Sequence, residues 1–122
     1  MNKRKTGSEY ESRAAGYLDE KGVAILCRNF RSKSGEIDLI GRDDGYLVFF
    51  EVKYRGGSSA GSASEAVNRN KQKRICRAAD YYLMINGVPL DSPIRFDVVA
   101  IDGNEISWIR NAFQYIERGR SF

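Results

Sequence analysis

The sequence predicts a mixed α/β protein of element order αβββαββ, with helices packed on a central mixed β-sheet, and three patterns carry that prediction. Apolar residues recur at helical spacing near the start and again around residues 75–83. Three runs rich in β-branched and aromatic residues lie between those helices, bounded by turn residues. Two further runs follow, joined by Asp102-Gly103-Asn104, which reads as a hairpin. Helices set among strands in this way must bury their apolar stripes on a sheet. A chain of 122 residues that is 42% hydrophobic fits one domain with a real core, residues 1–122, with 1–6 and 114–122 expected as loose tails.

The elements follow in order. Thr6 and Glu9 form a capping box, Tyr10, Ala14, Tyr17 and Leu18 continue at helical spacing, and Gly22 offers a stop. Val23–Phe30 reads as a strand, Ser32–Gly35 as a turn and Glu36–Gly41 as a second strand. Asp43-Asp44-Gly45 turns the chain into Tyr46–Tyr54, long and apolar enough to be central, so the three strands can form a meander. Gly56–Ser62 is too rich in Gly and Ser to pack and is expected as a surface loop. Ser62 and Glu65 make a second capping box before a helix marked by Ile75, Ala78, Ala79, Tyr82 and Leu83, which Asn86, Gly87 and Pro89 end. Ile94–Asp102 and Glu105–Ile109 are the closing strands.

Composition excludes several chemistries. With no histidine, the chain cannot use a Ser-His or Cys-His nucleophile, a His-containing zinc site or an imidazole base. Catalysis would have to come from carboxylates, Lys, Tyr, Cys or a hard metal. Cys27 and Cys76 stand far apart and outside any ligand cluster, which fits reduced thiols and a cytoplasmic location. No apolar run approaches the roughly 20 residues that span a bilayer, so no membrane partner is expected. A net charge of +4 is too modest to establish a polyanionic partner by itself.

The charges that do stand out interrupt apolar strands. Phe49-Phe50-Glu51-Val52-Lys53 places two of them at the end of the most apolar strand, two residues apart and so on one face, with Arg55 next in that row. Asp38 interrupts Ile37-Asp38-Leu39-Ile40, which the turn at 43–45 lays antiparallel to the first, so the carboxylates of Asp38 and Glu51 can converge. Two such carboxylates, with the backbone carbonyl of Val52 between them and Lys53, can hold Mg²⁺ or Mn²⁺ and leave room for water and a phosphate oxygen. Lys53 would add positive charge beside the phosphate or help deprotonate the attacking water. The same residues would equally make a partly buried ion network, and spacing does not choose between the two.

Four segments carry a resemblance. Gly35-Glu36-Ile37-Asp38-Leu39-Ile40, Val48-Phe49-Phe50-Glu51-Val52-Lys53-Tyr54-Arg55, and Lys71-Gln72 with Arg95-Phe96-Asp97-Val98-Val99-Ala100 resemble the YraN-like family of small uncharacterised bacterial proteins, over about Gly7 to Phe113. That family looks like the restriction-endonuclease and Holliday-junction-resolvase fold, and the resemblance implies a PD-(D/E)xK nuclease site at Asp38, Glu51 and Lys53. It also implies that Glu9 corresponds to the additional helix carboxylate of the resolvase branch. Ile37 stands where that motif has proline. The implied activity is Mg²⁺-dependent cleavage of phosphodiester bonds in DNA, by further analogy branched or irregular DNA, with a homodimer if two strands are cut in register.

Each supporting residue has a plainer reading. Glu9 is explained by its capping position, and Glu36, two residues from Asp38, by solvation or an Arg neighbour. Arg69, Lys71, Lys73, Arg74 and Arg77 make the densest basic run, either a solvated helix face or a track for a phosphate backbone joined by Arg28, Arg31 and Lys33. Lys71 and Gln72 are the members expected to reach the site. Arg95 and Asp97 read as a structural ion pair, and the tyrosines and Trp108 as mostly core. Against a DNA endonuclease stand a non-catalytic nucleic-acid-binding module that keeps the charged cluster for stability and a protein-interaction subunit using a sheet edge or residues 114–122.

Overall fold

The computed structural model describes residues 3–55 and 67–119, with backbone alone at 3–6 and 55. Its elements are α1 (Lys3–Glu20), β1 (Ala24–Arg31), β2 (Glu36–Asp43), β3 (Tyr46–Arg55), α2 (Arg69–Ile85), β4 (Ile94–Asp102) and β5 (Glu105–Phe113), the predicted order αβββαββ. The five strands form one sheet in the order β1-β2-β3-β4-β5. Asp43 pairs with Tyr46, leaving Asp44 (φ +50°) and Gly45 (φ +85°) as a two-residue turn whose left-handed pair matches the twist of antiparallel strands. β3 and β4 alone run parallel, because the chain crosses over through α2 between them.

The helices cover opposite faces. α1 buries Ala14 and Leu18 against Leu39, Val48, Phe50, Val99 and Ile101. α2 buries Ile75, Cys76, Ala78 and Ala79 against Ile37, Ile40, Leu47, Phe49, Phe96 and Val98. Consecutive residues of β3 thus enter opposite cores, which is why Leu47-Val48-Phe49-Phe50 is continuously apolar instead of alternating. No described helix is long and apolar enough to cross a membrane.

Three boundaries depart from the sequence expectations. α1 starts at Lys3, so Thr6 and Glu9 lie inside it and form no capping box; Lys3, Arg4 and Lys5 are good helix formers that extend it upstream. The second expected box, Ser62 and Glu65, falls with the 56–62 loop outside the described residues, and α2 is capped instead by Asn68, whose side chain accepts the Lys71 N–H at 2.8 Å. β5 continues four residues past Ile109, through a kink at Asn111 (φ +52°) whose N–H is taken by Asp97 at 2.9 Å. Beyond it the expected tail is tied to α2 as far as Ile116: Tyr115 donates to Asp80 at 2.8 Å, Ile116 N–H to Cys76 Sγ at 3.4 Å, and Arg77 to the Ile116 carbonyl.

Asp97 is fully buried and accepts from Arg95 Nε (2.9 Å), Trp108 Nε1 (2.8 Å) and Asn111, while Arg95 also bridges to Asp43 at 2.7 Å. A buried carboxylate this fully bonded holds β2, β4 and β5 in register, as the plainer reading of Arg95 and Asp97 expected.

Candidate active site

The β2–β3 ladder ends at the pair Leu39–Phe50, one step before Asp38 and Glu51. On the other side of β2, Asn29 (φ +53°) lies between the pairs Arg28–Leu39 and Phe30–Ile37, opposite Asp38, and its left-handed backbone kinks β1 there. β3 meanwhile continues its pairing with β4 through Glu51, Val52 and Lys53. Where the ladder stops, the Val52 N–H is satisfied by the Asp38 side chain, whose Oδ2 accepts it at 2.8 Å. The strands therefore hold Asp38 against Glu51 through the backbone of the residue between Glu51 and Lys53.

Glu51 is buried, 4% exposed, and its Oε2 lies 3.2 Å from Lys71 Nζ and 3.6 Å from Lys53 Nζ. Asp38 is partly buried and hydrogen-bonds Glu51. Burial first, then the charge and hydrogen bond of Glu51, push the Asp38 carboxyl up to about 8, against the Val52 N–H, which favours the anion. The raised value favours the neutral form of the Asp38 carboxyl beside Glu51.

These groups line a cleft of about 280 Å³ with Gly7, Tyr10 and Glu11 of α1. Glu11 was not picked out in the sequence. Among the described residues its Oε1 is buried without a hydrogen-bond partner; burial raises its pKa, with Arg28 and a hydrogen bond from the Asn29 side chain to the carboxyl acting against that. The sequence did hold a signal, because Glu11 falls three and seven residues before Ala14 and Leu18, on the stripe that α1 buries. Tyr10 stacks on Tyr54, ring centroids 3.9 Å apart, and so fixes α1 over the end of β3.

The structure brings Asp38, Glu51, Val52, Lys53 and Lys71 together. Glu9 does not join them: it is exposed on the far stripe of α1 with Arg13, Gly16 and Glu20, and the helix carboxylate of the cleft is Glu11. Glu36 is exposed and bridges to Arg31 at 3.4 Å. Gln72 is turned back to the Val67 carbonyl at 3.0 Å, while Lys73 and Arg74 are exposed, Arg74 lying against Gly35. Arg55 ends β3, and its side chain lies outside the described residues.

All three carboxylates offer hard oxygen donors of the kind Mg²⁺ and Mn²⁺ accept, and Glu11 Oε1 is a buried acceptor without a hydrogen bond among the described residues. Among the described residues, no three acidic or thiol side chains converge closely enough to enclose an ion. Asp38 and Glu51, with Glu11 beside them, would be the carboxylates available to a cation in this cleft.

The sequence model of the uncharacterised protein family UPF0102 matches residues 10–101. Over 113 residues the chain is 50% identical to a UPF0102 protein of Lachnoclostridium phytofermentans, covering 93% of this chain and 96% of that one. A UPF0102 protein of Aliivibrio fischeri is 48% identical over 115 residues, covering 92% and 94%. One from Shewanella loihica is 46% identical over 107 residues, covering 88% and 92%.

Proposed function

The chain belongs to the uncharacterised protein family UPF0102, and we propose, from the chemistry of its cleft, that it is a metal-dependent endonuclease hydrolysing phosphodiester bonds in DNA. One observation carries the proposal: buried Glu51 and partly buried Asp38 are held side by side in a cleft with Lys53 and Lys71 at their edge, a crowding of like charges whose cost a bound cation would offset. Asp38 and Glu51 would hold Mg²⁺ or Mn²⁺, which when bound supplies Lewis acidity and an activated water.

The chain's own groups would do the rest. The Val52 N–H keeps Asp38 turned toward Glu51. Lys53, partly exposed beside Glu51, is placed to donate to a non-bridging phosphate oxygen and to balance the charge that develops on it. Lys71 holds Glu51 in one rotamer and brings the first turn of α2 to the cleft, so its position depends on the Asn68 cap. Glu11 can accept a proton or a hydrogen bond from water entering beside Asp38.

A second reading has its own support. Glu51 already touches two lysines, and no closed ligand set exists among the described residues, which suits a non-catalytic nucleic-acid-binding module with a structural ion cluster. Titration calorimetry with Mg²⁺ and Mn²⁺ on wild type and on an Asp38→Asn, Glu51→Gln variant, followed by cleavage of labelled linear, flapped and four-way DNAs, separates the two. The nuclease reading expects metal uptake and cleavage by wild type and neither by the folded variant. DNA binding without metal uptake or cleavage would leave the binding module.

A further inference from the structure

A second cavity, of about 460 Å³, lies between the β1–β2 turn and the later half of α2. Four basic side chains line it, Arg31, Lys33, Arg77 and Arg118, against one acidic residue, Asp80. That acid is already engaged: Asp80 lies 3.0 Å from Arg77 Nε and accepts from the Tyr115 hydroxyl at 2.8 Å. Arg31 meets Glu36 only at the surface, where water screens the pair. The cavity therefore presents an excess of positive charge to whatever enters it.

Its wall is aromatic. Tyr81 is 43% exposed and Met84 69% exposed, and both fall off the stripe that α2 buries. The Tyr81 ring is backed by Phe30, centroids 6.0 Å apart, so it is braced from one side. Core packing does not account for a braced, half-exposed aromatic next to a thioether and several cations. An unpaired base stacking on a ring, with its phosphates on nearby lysine and arginine, is the chemistry that matches these parts.

We propose that this pocket binds an unpaired nucleotide of the nucleic-acid substrate, with Tyr81 stacking on the base and Lys33, Arg118 and Arg31 contacting flanking phosphates. The placement rests on the nuclease reading of the Asp38–Glu51 cleft. Lys71, in that cleft, and Tyr81 are ten residues apart on one helix, an axial rise of about 15 Å, so α2 connects the cleft to the pocket. A strand whose unpaired end enters the pocket would reach the cleft along α2, which selects flapped, frayed or branched ends over continuous duplex.

The test is fluorescence anisotropy with a labelled oligothymidylate and a blunt duplex, in chelator so that no metal takes part. Wild type is compared with Tyr81→Ala, Tyr81→Phe, Lys33→Ala and Arg118→Ala, each checked for folding by thermal melt. Tyr81→Ala should weaken oligothymidylate binding about 5- to 100-fold with duplex binding unchanged, and Tyr81→Phe should bind as wild type. Lys33→Ala and Arg118→Ala should each lower the slope of log affinity against log salt by about one. Wild-type binding by Tyr81→Ala, no oligothymidylate binding at all, or a Tyr81→Ala effect confined to oligomeric state by light scattering would overturn the proposal. Cleavage by wild type with Mg²⁺ is scored separately. Cutting that is indifferent to Tyr81 sinks this inference alone, while Tyr81-dependent binding without any cutting sinks the nuclease reading and leaves the pocket.

Discussion

The Asp38 carboxyl is raised by burial and by the neighbouring Glu51 to about 8, against an ordinary 3.8. A carboxyl raised on folding contributes stability that is complete below its unfolded value and is lost as pH rises through the folded one. The metal-free protein should therefore lose stability between about pH 4 and pH 8 on account of this pair. Asn at position 38 can still accept from the Val52 N–H and donate to Glu51 without the charge. We expect metal-free Asp38→Asn to exceed wild type at pH 8 by on the order of 1–3 kcal/mol and to show a flatter profile, checked by urea denaturation across that range. Mg²⁺ should raise the wild-type midpoint at pH 8 and leave the variant's where it was. Glu11→Gln should weaken metal binding or cleavage at least ~10-fold, whereas Glu9→Gln should leave both unchanged, since Glu9 faces solvent. Asp38, Glu51 and Lys53 were legible in sequence because each breaks an apolar strand. Glu11 was not, because the resemblance set the helix carboxylate at Glu9 and the rotation of α1 that buries Glu11 is decided by packing on the sheet.

The elements are held by local chemistry that can be tested one at a time. Asn68→Ala should cost about 1 kcal/mol and fray the first turn of α2, and because Lys71 lies in that turn, metal or substrate affinity should fall with it. Gly41 sits where a Cβ would lie 2.8 Å from Val23 Cγ1 and 2.9 Å from the Ala24 carbonyl oxygen. Gly41→Ala should cost about 1–3 kcal/mol, read as a lower denaturant midpoint, because β1 must move to make room. Strand and helix identities followed from periodicity and turn residues, and all seven elements appear in the predicted order. Boundaries were less legible where tertiary contacts set them. β5 outlasts its apolar pattern because Asp97 takes the Asn111 N–H, and Tyr115 and Ile116 are anchored because α2 offers Asp80 and Cys76 as partners.

For the molecule as a whole, Asp97 is the residue that ties strands distant in sequence. Asp97→Ala would remove the acceptor for Arg95, Trp108 and Asn111 together, and should cost about 3–5 kcal/mol, measured by denaturant unfolding. Asp97→Asn should recover part of that loss. The YraN-like resemblance read from four sequence segments agrees with membership of UPF0102 and with the mixed five-stranded sheet. By itself the sequence determined the α/β class, the helix and strand order, the exclusion of histidine chemistry and the charged positions at the ends of β2 and β3, since all of these depend on residue type and short-range spacing. The tertiary structure alone decided which carboxylate of α1 enters the cleft, that Lys71 joins it while Gln72, Lys73 and Arg74 do not, and that the β1–β2 turn meets α2 in a second basic pocket. Those outcomes depend on helix rotation and on where the β2–β3 ladder stops, which are set by packing between segments far apart in the chain.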